Sequence, residues 1–164
     1  MILKERFLKN LKDIDFLVVN EGEAASITGI PFKKENEVFK KLDELVPGIV
    51  AVTSGKKGVT VSDGKFIYKA GIFKEKKIVD RTGAGDSFGS GFVAGLIRKR
   101  EKFKGGFPKP ENVEYAIRLA SANATSVVEH MGATEGILSK RGFDSAKRFK
   151  KFSVKRKEVN FNRK

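Results

Sequence analysis

Two aspartates, Asp80 and Asp86, bracket a run of small residues, Gly83-Ala84-Gly85, in the stretch "VDRTGAGDSF" from Val79 to Phe88. Backbone N–H groups of such residues are not screened by side chains. Where the run opens a helix, the unpaired donors and the positive end of the helix dipole together make an anion site, and a phosphate group suits it. Asp86, in the first helical turn, is unfavourable beside an anion unless it is needed, for example to take the proton from a hydroxyl that attacks a phosphoryl group. An aspartate there also stabilises the helix N-terminus by its charge alone, and the bare pattern leaves both roles open.

Other patterns overlap this loop and are separated by their context. Gly85-Asp86-Ser87-Phe88-Gly89 has the G-x-S-x-G form of a serine-hydrolase elbow, and the single histidine, His130, lies downstream as that order requires. The elbow needs a strand running almost directly into the serine, whereas Arg81 to Ala84 intervene, so a hydrolase using Ser87 stands only as a minor alternative. Gly89, Gly91 and Ala94 spell G-x-G-x-x-A but fall inside the predicted helix instead of opening one. Close helix packing is the expected use of those small residues. A G-x-x-x-x-G-K-[ST] loop is absent: Gly58 to Phe66 has the wrong spacing and ends in phenylalanine.

The elements that must position the loop alternate between strand and helix. "FLVVN" (Phe16 to Asn20) reads as a short strand ending at a capping residue, and "EGEAASITG" as a brief helix stopped at Gly29. Val38, Leu42, Leu45 and Val46 recur at helical spacing before a buried strand, "GIVAVTS". The Asp63-Gly64 pair between two alternating runs predicts a β-hairpin. A strand through Ile78 and Val79 is expected to lead into the loop, with helices over Asp86 to Lys99 and Glu111 to Glu129. This alternation predicts an α/β domain with a mainly parallel sheet, whose ligands sit off the carboxyl ends of the strands.

At 164 residues the chain fits one domain. It has no cysteine, hence no disulfide framework or thiolate metal site, and no apolar run of signal-peptide or membrane-span type. A cytoplasmic protein without a membrane partner is expected. The formal charge of +14 raises polyanions as partners, yet nine Lys or Arg against one acid lie between Lys147 and Lys164. Residues 1–146 are therefore read as the domain and 147–164 as a basic C-terminal tail peripheral to the chemistry, part of which can dock through its phenylalanines. No nucleic-acid-binding motif accompanies the charge, so a nucleic-acid partner is not expected.

"DRTGAGDSF" resembles the second signature of the ribokinase-like, or PfkB, family of carbohydrate kinases, with Arg81 in the place of a common threonine. "NEGEA" (Asn20 to Ala24) resembles the family's N-x-x-E element, "TSGKKG" (Thr53 to Gly58) its nucleotide loop, and "ANATSVVEHMGA" (Ala122 to Ala133) its helix and loop beside the adenine and cation sites. The resemblance implies a three-layer, Rossmann-like ribokinase fold, truncated here, and an ATP-dependent transfer of the γ-phosphate to an alcohol group of a sugar or related polyol. It implies Asp86 as base and the Gly83, Ala84 and Gly85 amides as anion hole. Asn20 and Glu23 are implied to hold phosphates and Mg2+, Glu23 through water; Thr53, Gly55, Gly58 and Asn123 are implied to line the ATP site. Asp80 and Thr82 are implied to hold a monovalent cation such as K+. Alone, Asn20 with Glu23 also reads as a helix capping box.

The resemblance covers Leu3 to Gly136 and reaches only the carboxyl-terminal half of a family protein. The half that reads the sugar hydroxyls is not in it, so ribose, fructose, a ketodeoxy sugar acid and a nucleoside all stay open as acceptors. The alternative function is a non-catalytic nucleotide-binding fragment or one half of a split kinase, with the missing N-terminal half or a second copy as partner.

Overall fold

The computed structural model describes residues 8–99, 108–159 and 161. Strand β1 (Phe16–Asn20) runs parallel to β2 (Ile49–Thr53), joined through helices α1 (Glu21–Thr28) and α2 (Glu35–Leu45). β3 (Val59–Ser62) and β4 (Phe66–Ala70) form the hairpin that Asp63-Gly64 predicts, and β5 (Val154–Glu158) pairs with β4. The strand order is β1-β2-β3-β4-β5. Helices α3 (Ala84–Arg98) and α4 (Pro110–Val128) cover one face, and α5 (Lys140–Ser145) follows them.

The sheet separates two apolar layers. Ile49, Ala51, Val61 and Tyr68 pack against Phe88, Phe92 and Leu96 of α3 and Ile117 and Ala120 of α4. Leu17, Val19, Val50 and Val52 pack the other way, against Ala24 of α1 and Val38, Phe39 and Leu42 of α2. Strand β2 is therefore apolar at every position that alternation points to either face, which is why "IVAVT" reads as a continuous run. α3 and α4 approach closely: a Cβ on Gly91 would lie 2.9 Å from the Ala120 Cα, and one on Gly95 would lie 2.6 Å from the Ala116 Cα.

The structure corrects three expectations. The sheet is mixed, with β1–β2 its single parallel pair among the described residues, because β2 to β4 are joined by tight turns, which make antiparallel pairs, and β5 arrives from a distant segment to pair antiparallel with β4. Ile78 and Val79 form no strand; instead the Val79 and Asp80 N–H groups donate to the Val128 carbonyl at 3.0 and 3.3 Å, one of the acceptors left open at the end of α4. The described residues from 147 onward are not a tail beside the domain. Phe149 is buried against Phe73 and Phe143, and Val154–Glu158 completes the sheet with its lysines exposed. Among the described residues no helix is long and apolar enough to cross a membrane.

Candidate active site

The small-residue loop ends as the first turn of α3. Gly83 takes the left-handed conformation, φ 76°, and a Cβ there would fall 2.7 Å from the Ala133 Cβ, so the position admits no side chain on two grounds. Ala84 N–H donates back to the Arg81 carbonyl at 3.3 Å, and Ser87 N–H to that of Gly83 at 2.8 Å. Among the described residues the amides of Gly83, Gly85 and Asp86 have no backbone acceptor. The amides left open thus differ from the Gly83, Ala84 and Gly85 set expected from the sequence: the turn uses the Ala84 donor, and that of Asp86 is open. Gly85 faces open space where a Cβ would stand.

Two cavities meet at this turn. A pocket of about 670 Å³ is lined by Thr53, Gly55, Gly58, Ser121, Thr125 and Gly85, among others. A groove of about 1350 Å³ on the other side is lined by Asn20, Glu23, Thr53, Gly85 and Asp86 together with Val18 and Val93. Thr53 and Gly85 belong to both, and Asp86 stands on the groove side, exposed. Thr53 and Asn20 are register partners at the carboxyl ends of the parallel strands, which is where an α/β sheet presents ligands. Gly55 and Gly58 turn the chain between β2 and β3 with positive φ, 54° and 99°; a Cβ on Gly58 would strike the Ala70 carbonyl oxygen at 2.0 Å.

Asn20 and Glu23 form the capping box in full: Glu23 N–H donates to Asn20 Oδ1 at 2.9 Å and Asn20 N–H to Glu23 Oε2 at 2.8 Å. The capping role does not remove them from the groove, which both line. Asn123 has a different place from the one expected. It is buried, its Nδ2 donates to the Ser87 carbonyl at 2.8 Å and its Oδ1 accepts from Leu138 N–H at 2.8 Å, so it ties α4 to α3 and to the chain before α5 and does not line the pocket. Ser87 is buried too, and the His130 ring Nδ1 is bonded to the Ser126 carbonyl at 2.7 Å. A nucleophile elbow requires an exposed serine, and this one faces inward.

Asp80 joins the loop to the segment after α4. Its carboxylate accepts from Thr82 N–H at 2.9 Å and from Gly132 N–H at 3.1 Å, and these amide bonds, that of Thr82 foremost, hold it below the usual carboxylate range. Behind it lies a cluster that sequence reasoning missed. Glu129, buried, accepts two bonds from the Arg148 guanidinium at 2.7 and 2.8 Å and one from Lys76 N–H at 2.7 Å. Burial pushes Glu129 up, and the Arg148 and Lys76 hydrogen bonds outweigh it, so the carboxyl sits below its ordinary value. Arg148 comes from the basic segment, where nothing in the sequence marks it among its neighbours.

Among the described residues no three His, Cys, Asp or Glu are grouped to hold a metal ion. Mg2+ needs no such cage; it is commonly bound by one or two carboxylates with substrate phosphates and water. Glu23, on the groove, fits the carboxylate part of that donor set, and Asp86 on the same groove is left free of it. Asp80 has the charge to suit a monovalent cation, while the groups bonded to its carboxylate, the Thr82 and Gly132 amides, are N–H donors and not cation ligands.

The model of the pfkB family carbohydrate kinases matches residues 2–141. The cytidine kinase of Thermococcus kodakarensis is 32% identical over 137 residues, which make up 79% of this chain and 45% of that protein. Among solved structures, ribokinase from Giardia lamblia superposes with a TM-score of 0.72 at 26% identity over 84% of this chain and 44% of its own. Arabidopsis thaliana ribokinase, complexed with ribose and ATP, gives 0.65 at 28% identity over 79% and 39%. The described sheet and its helix layers are thus a part of the ribokinase fold, and the chain spans less than half the length of these relatives.

Proposed function

This chain belongs to the pfkB family of carbohydrate kinases, and from that premise we propose that it is the phosphate-transfer portion of an ATP-dependent kinase acting on an alcohol group of a sugar, polyol or nucleoside. The observation that carries the reading is the junction of the two cavities at Thr53 and Gly85, beside the open amides and Asp86. The nucleotide occupies the pocket of Thr53, Gly55, Gly58, Ser121 and Thr125, with its phosphates at the junction. The acceptor hydroxyl enters from the groove. Asp86 takes its proton as the oxygen bonds to the γ-phosphorus and the bond to the β-phosphate oxygen breaks, releasing ADP. The Gly83, Gly85 and Asp86 amides meet the charge on the transferred group, in place before the reaction and so without reorganisation. Glu23, through water, would hold Mg2+, which would supply neutralisation of the phosphate charge. Asp80 and Thr82 would be the residues to hold a monovalent cation such as K+.

Gly85 provides the test. Its Cβ position points to open space at the junction, so Gly85→Leu is compatible with folding but fills the place of the phosphates. Calorimetric titration with ATP is expected to show binding by the wild type and none by the variant at equal thermal stability. Equal affinity in both would place the nucleotide elsewhere.

A second reading is favoured by the open side of the groove. Among the described residues β1 is hydrogen-bonded along β2 only, and Ile97, which lines the groove, is 62% exposed. On this reading the portion binds nucleotide and turns over only when another polypeptide segment, or a second copy, closes the groove. Light scattering on the purified chain separates the cases: a stable monomer that phosphorylates an acceptor excludes the second.

A further inference from the structure

On the sheet face away from α4, Lys69 of β4 and Lys155 of β5 are direct register partners, so their side chains leave the same face of an antiparallel pair. Like charges placed opposite each other in this way repel. Both lysines line a groove of about 1390 Å³, with Lys33 and Lys57 at its other walls. Its two carboxylates are already engaged. Glu35 receives Lys69 and the Thr60 hydroxyl, the latter at 2.9 Å, and Glu21 stands 3.8 Å from Lys57. Among the described residues no ion pair engages Lys33 or Lys155. The groove therefore keeps the charges of Lys33 and Lys155 uncompensated, while Lys69, beside Lys155, is met by Glu35.

We propose that this groove is a second anion site, distinct from the α3 turn, and that it takes a small phosphate-bearing molecule between Lys155, Lys69 and Lys33. A doubly charged phosphate there relieves the Lys69–Lys155 repulsion and supplies the counter-charge that Lys33 and Lys155 lack. A nucleic-acid backbone is the poorer fit. Glu21 and Glu35 on the walls repel a continuous run of phosphates, and the paired row stops at once, since Lys157 faces Ile67. The groove shares Val59 and Gly71 with the nucleotide pocket, so it lies against the reverse side of the Gly55–Lys57 turn. The site does not depend on the phosphotransfer reading and survives its failure.

The test is a titration of the 15N-labelled chain with inorganic pyrophosphate, followed by amide chemical shifts, with sodium chloride of matched ionic strength as control. Amides of Lys69, Ser153 and Lys155 are expected to shift along a saturating curve that chloride does not reproduce. Lys155→Gln, on an exposed edge strand and so compatible with folding, is expected to weaken that curve about five-fold, the scale of one exposed ion pair, while the Gly83 to Asp86 amides respond as in the wild type. Shifts confined to Gly83 to Asp86, or a response equal to that of chloride, would overturn the proposal. Tighter saturation of the groove amides by a single-stranded oligonucleotide than by pyrophosphate would overturn its assignment to a small ligand.

Discussion

Replacing Arg148 by alanine removes the guanidinium from Glu129 and leaves a carboxylate, 6% exposed, with the Lys76 amide as its remaining hydrogen-bond donor. Breaking a buried ion pair by deleting one partner costs roughly 3–5 kcal/mol. Arg148 is itself 28% exposed, so solvent screens part of the interaction, and about 2–3 kcal/mol is the reasonable expectation. For a chain of this size that lowers Tm by roughly 5–10 °C. The pH dependence distinguishes an ion pair from lost packing. In the wild type the Glu129 carboxyl lies below its unfolded value, so its contribution is full above the ordinary glutamate range, about pH 4.3, and is lost as pH falls through the lower folded value. In Arg148→Ala burial dominates and raises Glu129, which then destabilises the fold when charged. The gap between the two proteins is therefore largest near neutrality and narrows as pH falls toward 4. Urea denaturation at pH 7 and at pH 4 follows the narrowing. A cost under about 0.5 kcal/mol at pH 7, within the range of ordinary surface changes, would refute the role given to this pair, and a pH-independent cost would assign it to packing.

Gly83→Ala forces a left-handed alanine, about 1–2 kcal/mol before any clash with Ala133, and is expected to lower both thermal stability and ATP affinity, read by melting and calorimetry. Asp63→Ala removes the acceptor of the fully buried Tyr68 hydroxyl, bonded at 2.7 Å, and of the Lys65 and Phe66 amides that close the hairpin. A loss of about 1–3 kcal/mol is expected in chemical denaturation, with the β3–β4 amides exchanging faster.

What was legible in the sequence was whatever a short window decides. The Asp63-Gly64 turn, the capping box at Asn20 and Glu23, and both long helices are local patterns, and the structure forms each of them close to the expected place. The glycine loop was legible as a helix start with open backbone donors, but which amides stay open depends on the single Ala84 to Arg81 bond, which no residue type announces. Sheet direction failed because alternating strands and helices early in the chain suggest crossovers throughout, whereas β3 to β5 return by turns or from a distant segment. Long-range partners were invisible for the same reason. Nothing local tells Arg148 from the lysines beside it, or sends Asn123 inward to Ser87 and Leu138 instead of toward a ligand.

The assignment of Asp86 as the base at the cavity junction stands or falls on transfer of labelled γ-phosphate from ATP to a panel of sugars and nucleosides, with wild type and Asp86→Asn compared in the same complete assembly. Asparagine keeps the shape and the helix turn but cannot take the proton. Turnover is expected to fall by about 10²–10⁴, with ATP affinity unchanged within a few-fold. Transfer by the asparagine variant at the wild-type rate would show that Asp86 serves only the helix terminus.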